Sequence, residues 1–287
     1  MESFAFTFPR TLPLIVDMIP IEDNFTDIIG KAQRGLGLSE ETLAEKAGIP
    51  VTQVQELLAG RLNEEALAKV AGVLALGSEA LRLQARGEYL PAEVPKIDGL
   101  AGCNTVFEDM TVNSYVVWDP LTKEAAFFDS GADGDPMLEI VRNEGLNVTQ
   151  ILLTHTHGDH ILDLDRLKEK TGAAAWVCEN EALAGAESFA PGKSFAIGGL
   201  TVGSRLTCGH SAGGITFYIQ GLAVPVAVVG DALFAGSMGG GAVSYADALR
   251  STRENIMTLP DETVLCPGHG PLTTVAEQKR VNPFFVS

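Results

Sequence analysis

The apolar run over 148–153 leads without a break into Thr154-His155-Thr156-His157-Gly158-Asp159-His160. Three imidazoles and a carboxylate therefore crowd together where a strand pattern gives way to a helical one. Without a cation such groups would repel one another or lose solvation. Gly158 permits the sharp backbone turn that lets the four side chains converge. A chain carrying this motif has to fold so that a strand end meets other ligand-bearing loops.

Other segments supply such loops. The chain has 5 histidines, namely His155, His157, His160, His210 and His269. The last two each follow a glycine, in Cys208-Gly209-His210-Ser211 and Pro267-Gly268-His269-Gly270. Asp231 follows the apolar run 226–229 and Gly230, and so sits at the C-terminal end of a strand. No histidine is left for ordinary surface or core work. The 4 cysteines, Cys103, Cys178, Cys208 and Cys266, form no C-x-x-C pair, and they are expected to be reduced and mostly buried.

Composition narrows the class. Of 287 residues, 46% are hydrophobic and 20% charged, the balance of an ordinary globular protein. A net charge of −17 disfavours broad contact with nucleic acid or an anionic membrane. No apolar run approaches the ~20 residues that span a bilayer. Glu2, Pro9, Pro13 and Pro20 interrupt the N-terminus, and no basic region precedes an apolar one. A secretory signal is therefore not expected, and a cytoplasmic location is.

Four segments are expected: an N-terminal segment over 1–21, a helical domain over 22–86, a linker over 87–98 and a mixed domain over 99–287. In the second, Ser39 caps a helix that stops at Gly48, Pro50 opens another that ends near Gly60, and Asn63 caps a third. Pro91 and Pro95 mark the linker. Beyond it, strands are predicted over 115–118, 125–129, 148–153, 173–178, 215–220, 224–229 and 263–266. Helices are predicted over 137–143, 160–170 and 246–259. This alternation indicates an α/β domain with helices covering sheets.

Two resemblances sharpen these expectations. The stretch A-E-K-A-G-I-P from Ala44, V-x-x-L-L-A-G from Val54 and A-K-V-A-G-V-L from Ala68 resembles the phage-repressor-type helix-turn-helix. The second resemblance covers about 98–287. The motif H-x-H-x-D-H, with G-D-A-L-F from Gly230 and the tail from Cys266 to Phe284, is similar to the metallo-β-lactamase superfamily. Within it, the glyoxalase II-like branch is the nearest likeness. It implies a metallo-β-lactamase αβ/βα sandwich preceded by a small all-α helix-turn-helix-like domain. His155, His157 and His210 would then hold one metal, Asp159, His160 and His269 another, and Asp231 would bridge both. Asp129, in F-F-D-S-G, matches the family's acidic residue after an early strand and could orient a ligand imidazole.

Two divalent ions follow, zinc favoured, with iron or manganese also suited to such ligands. A water between two such ions loses a proton near neutral pH, and one ion polarises a substrate carbonyl. The resemblance favours hydrolysis of a thioester such as an S-acylglutathione, with Asp159 as ligand and as orienter of the attacking hydroxide. The C-terminal helical domain of full-length glyoxalase II, which supplies basic residues for glutathione, is expected to be absent here. Lys279 and Arg280 are the late basic residues left to meet a small anionic substrate. A β-lactamase is disfavoured because Asp231 stands where those enzymes commonly use Cys. A flavodiiron role is disfavoured because His157 stands in place of Glu. A lactonase stays open, although Phe234 replaces the usual Tyr. The main alternative is a mononuclear-iron persulfide dioxygenase using His155, His210 and Asp231.

The non-enzyme alternative is a DNA-binding regulator. Its recognition helix over 50–60 has no Lys or Arg, and ten acidic against seven basic residues over 22–86 make a poor footprint for phosphate. DNA binding is therefore not expected. The helical domain is expected to serve dimerisation or interdomain packing, with a homodimer as the assembly. If it folds independently, deleting 1–90 leaves the site intact.

Overall fold

The computed structural model describes residues 19–286. Residues 1–18, most of the N-terminal segment named above, lie outside the described residues, as does Ser287. The helical region comprises α1 (Phe25–Gly35), α2 (Glu40–Ala47), α3 (Val51–Leu58), α4 (Glu64–Val73) and α5 (Ser78–Ala85). Local signals set their ends. Asn24 and Asp27 form a capping box on α1, and the Ser39 and Asn63 side chains cap α2 and α4. Gly48 ends α2 in the left-handed conformation at φ 64°, where a side chain would be strained.

The first sheet is built from β1 (Leu100–Phe107), β2 (Met110–Trp118), β3 (Glu124–Phe128), β4 (Asn147–Leu152), β5 (Ala174–Cys178) and β6 (Glu187–Phe189), in that spatial order. Strands β3 to β6 run parallel. Helix α6 (Asp135–Glu144) joins β3 to β4, and α7 (Gly158–Ile161) and α8 (Leu164–Thr171) join β4 to β5. The second sheet holds β7 (Ser194–Ile197), β8 (Leu200–Leu206), β9 (Ile215–Gln220), β10 (Val226–Gly230), β11 (Val264–Pro267) and β12 (Thr273–Thr274). Helix α9 (Tyr245–Asn255) crosses between the parallel strands β10 and β11, and α10 (Val275–Val281) follows β12.

Strand periodicity explains the layering. In β10, Val226 and Val228 face the core between the sheets, whereas Ala227 and Val229 face the outer core. In β3, Ala126 and Phe128 point inward while Ala125 and Phe127 meet the helices on the other face. Both sheets thus bury both faces, and an αβ/βα sandwich results. The predicted helix over 160–170 is broken into α7 and α8. Asp163 sits at the break, its carboxylate accepting from Gly134 N at 2.7 Å and its own N–H donating to Ser130 Oγ at 3.1 Å.

The helical region covers the outer face of the second sheet. Ile28, Ile29, Leu57, Leu67 and Leu81 share one buried cluster with Val229, Leu233, Tyr245, Ile256 and Leu265. Polar contacts join the same surfaces: Gly77 N donates to Pro283 O at 2.7 Å and Gln84 Nε2 to Gly236 O at 3.2 Å. Gly35 lies against the Tyr245 ring, where an added Cβ would come within 2.2 Å of it. The linker is docked too, with Tyr89 and Ile97 buried and Ala92 N donating to Glu277 at 2.9 Å. Among the described residues, no helix is long and apolar enough to cross a membrane.

Candidate metal centre

Parallel pairing puts the ends of β3 and β4 side by side, and likewise those of β10 and β11. Asp129 follows β3, the His155–His160 motif follows β4, Asp231 follows β10 and His269 follows β11. His210 comes from the loop between β8 and β9. Close backbone approach is needed here. A Cβ on Gly268 would lie 2.1 Å from Asp231 Oδ1, and one on Gly230 would lie 2.6 Å from Thr154 Oγ1.

All seven candidate ligands converge. His155, His157, His210 and Asp231 form one group whose ligand atoms lie within 4.8 Å of one another, and Asp159, His160 and His269 form a second. His157 Nδ1 is 3.1 Å from His155 Nε2 and 2.9 Å from His210 Nε2. Tetrahedral zinc with nitrogen ligands needs neighbours roughly 3.3 Å apart, and both distances are near that spacing. Asp231 faces both groups: Oδ2 lies 3.3 Å from His210 Nε2 and 3.5 Å from His269 Nε2, and Oδ1 lies 3.3 Å from His160 Nε2. Asp159 Oδ2 is 3.4 Å from His160 Nε2 and 3.3 Å from His269 Nε2.

Whether these residues suit metal is tested by their unmet bonds. His160 Nε2 and Asp231 Oδ1 are buried and have no hydrogen-bond partner among the described residues. A buried nitrogen and a buried carboxylate oxygen without partners are costly unless a cation lies between them. Outer hydrogen bonds aim the other ring nitrogens away. His160 Nδ1 meets Asp129 Oδ2 at 2.9 Å, His269 Nδ1 meets Thr111 O at 2.7 Å and His210 Nδ1 meets Gly240 O at 2.9 Å. Each fixes a tautomer with Nε2 free to ligate. The donor set fits a pair of divalent cations.

Charge tells the same story. Burial opposes a proton on His160, but Asp231 and Asp129 outweigh it and push its pKa up to about 10. For His269, burial is likewise outweighed by Asp159 and Asp231, and its pKa rises to about 11. Asp231 is held well below the usual carboxylate range: burial resists ionisation, and the surrounding imidazoles overcome it. His155 and His210 are lowered, chiefly by burial.

Asp129 orients more than one ligand. It sits at φ 59°, unusual for a residue other than glycine, and its carboxylate accepts from Thr154 N and Thr154 Oγ1, both at 2.7 Å. Thr154 Oγ1 in turn lies 3.0 Å from His155 Nδ1, so one carboxylate steadies an imidazole of each group. Thr154 and Glu181 escaped the sequence reading. Glu181 accepts from Thr156 Oγ1 and Ser211 Oγ, both at 2.9 Å, and ties the His155–His157 turn to the His210 loop. Nothing in the short turn around Glu181 signals this.

Lys279 and Arg280 are not brought to the centre. Antiparallel pairing of β12 with β11 carries the chain from His269 back to the level of Val264 before α10 begins. Lys279 there pairs with Asp261 at 2.6 Å, at the end of β11 remote from His269, and Arg280 is exposed on the same helix. Cys208 and Cys266 belong to neither ligand group.

Comparison with known proteins agrees with this geometry. Residues 108–269, a span that holds all seven candidate ligands, match the family described as the metallo-beta-lactamase superfamily. The probable metallo-hydrolase YqgX of Bacillus subtilis is 32% identical over 187 residues, 56% of this chain and 87% of that protein. The hydroxyacylglutathione hydrolase GloC of Haemophilus influenzae is 28% identical over 200 residues, 61% of this chain and 93% of that protein. Among solved structures, ETHE1 from Myxococcus xanthus matches with a TM-score of 0.56 at 27% identity, over 64% of this chain and 83% of that one. The chain belongs to the metallo-beta-lactamase superfamily.

Proposed function

We propose that the chain is a dinuclear metal-dependent hydrolase whose substrate is a thioester such as an S-acylglutathione. The observation that carries this reading is the pair of ligand groups sharing Asp231, with His160 Nε2 and Asp231 Oδ1 buried and unpartnered. Similarity to the hydroxyacylglutathione hydrolase of H. influenzae supports the substrate class.

His155, His157 and His210 would hold one cation, Asp159, His160 and His269 the other, and Asp231 both. When bound, such a pair supplies an ionised water at neutral pH and a polarised carbonyl. The chain's own residues do the rest. Asp159, with 9% of its surface exposed, would accept a hydrogen bond from the attacking water and hold its proton at the carboxylate. Asp129 and Thr154 keep the imidazoles in register. The exposed His157 and Gly158 mark the open side, with the Phe107 ring 3.9 Å from the Cβ position of Gly158 as an apolar neighbour.

A mononuclear-iron persulfide dioxygenase is the second reading, motivated by the likeness to ETHE1 of M. xanthus. It would leave Asp159, His160 and His269 without a task. A panel of thioester, lactone, phosphodiester and persulfide substrates separates the two. Chelator-sensitive thioester hydrolysis without oxygen uptake is expected; oxygen consumption with the persulfide and no hydrolysis would replace the first reading by the second.

A further inference from the structure

His157 is held differently from the other imidazoles of the centre. His155 Nδ1 meets Thr154 Oγ1, His160 Nδ1 meets Asp129, His210 Nδ1 meets Gly240 O and His269 Nδ1 meets Thr111 O, so each of these rings has a partner at the nitrogen facing away. In His157 it is Nδ1 that faces His155 and His210. Its Nε2 has no hydrogen-bond partner among the described residues, and the residue is exposed. A ligand imidazole owes its orientation to such an outer partner. The aim of His157 is therefore left to the backbone of its turn.

That turn is gripped by Glu181, at the end of the single turn Glu179–Glu181 that follows β5. Oε1 accepts from Thr156 N at 3.3 Å and from Thr156 Oγ1 at 2.9 Å. Oε2 accepts from Ser211 Oγ at 2.9 Å and from Gly213 N at 3.0 Å. Thr156 stands between His155 and His157, and Ser211 follows His210. One carboxylate thus bonds to the neighbours of all three imidazoles in one ligand group. None of these bonds ends on α7, which carries Asp159 and His160, or on the loop that carries His269. The His210 loop comes this close because residue 213 is glycine: a Cβ there would lie 2.6 Å from Glu181 Cβ. Hydrogen bonds to an ionised carboxylate are the strong kind.

We propose that Glu181 is a positioning residue for one cation of the pair. It takes the place of the outer partner that His157 lacks, and so sets the affinity of the His155, His157 and His210 group without setting that of Asp159, His160 and His269. This rests on the two-cation centre of the hydrolase reading above.

The test uses the full-length, metal-loaded protein and its Glu181→Gln and Thr156→Val variants, equilibrated in chelator buffers of graded free zinc. Bound zinc per chain is measured by plasma emission. Anomalous diffraction from crystals held at the same free zinc gives the occupancy of each position. Glutamine keeps the length of the side chain, but its amide nitrogen cannot accept from the donors on one side. Valine at 156 removes one hydroxyl bond and leaves the backbone N–H in place. Glu181→Gln is expected to raise the free zinc needed for half occupancy of the His155, His157 and His210 position about 10- to 100-fold. Thr156→Val should raise it about 3- to 10-fold. The other position should stay within about threefold in both. A role in folding alone would weaken both positions together, so equal weakening would overturn the proposal, as would unchanged affinity at the first position. If Glu181→Gln does not fold, the Thr156→Val result decides alone. A wild-type chain that takes up a single zinc would remove the two-cation reading, and this inference with it.

Discussion

Replacing Asp231 with Ala is expected to lower bound metal from about two ions per chain to fewer than one and to reduce thioester turnover by more than about 100-fold. Loss of an outer hydrogen-bond partner alone costs about 10- to 100-fold in metal affinity or activity. Asp231 faces both ligand groups, so its removal takes a ligand from each. Metal content by plasma emission and single-turnover kinetics check this, with near-ultraviolet circular dichroism as the control for folding. Full turnover in a folded Asp231→Ala protein would show that the carboxylate is not shared.

Deletion of residues 1–90 is the second change with a large expected effect. The truncated chain should be insoluble or lack fixed tertiary packing, and it should not bind metal. The helical region is not a passenger, because its buried side chains and those of the second sheet form one cluster. Burying a Leu, Ile or Phe contributes about 1.5–3 kcal/mol. Exposing only four such residues then removes as much as the ~5–15 kcal/mol that stabilises a whole domain. The loop after Asp231 loses support as well: Ser237 Oγ donates to Asp23, Met238 O accepts from Lys31, and Gly236 O accepts from Gln84. Solubility, thermal unfolding and zinc uptake of the fragment 91–287 measure the outcome. A monodisperse, cooperatively unfolding fragment with full metal content would mean that the two parts fold separately.

Most of the candidate ligands were legible because they follow a strand with a local pattern, and His210, in the loop between β8 and β9, was marked by the Gly209 before it. The run into His155, Gly230 before Asp231 and Gly268 before His269 are short-range signals, and parallel pairing makes their strand ends coincide. Helix caps at Ser39 and Asn63 were legible for the same reason. Strands β1 and β8 were not. Gly102 and Asn104 in the first, and Gly203, Ser204 and Arg205 in the second, break the apolar alternation that marks a strand, and pairing with β2 and β9 overrides it. The helical period of α1 announces a buried face but not the surface it buries against. Lys279 and Arg280 misled because they lie near His269 in sequence, whereas the return through β12 carries them to the far end of β11.

Anomalous diffraction from zinc-loaded crystals addresses the central claim most directly. Two peaks per chain are predicted, one among His155, His157, His210 and Asp231, the other among Asp159, His160, His269 and Asp231. A single peak, with His160 Nε2 left facing no cation, would contradict it.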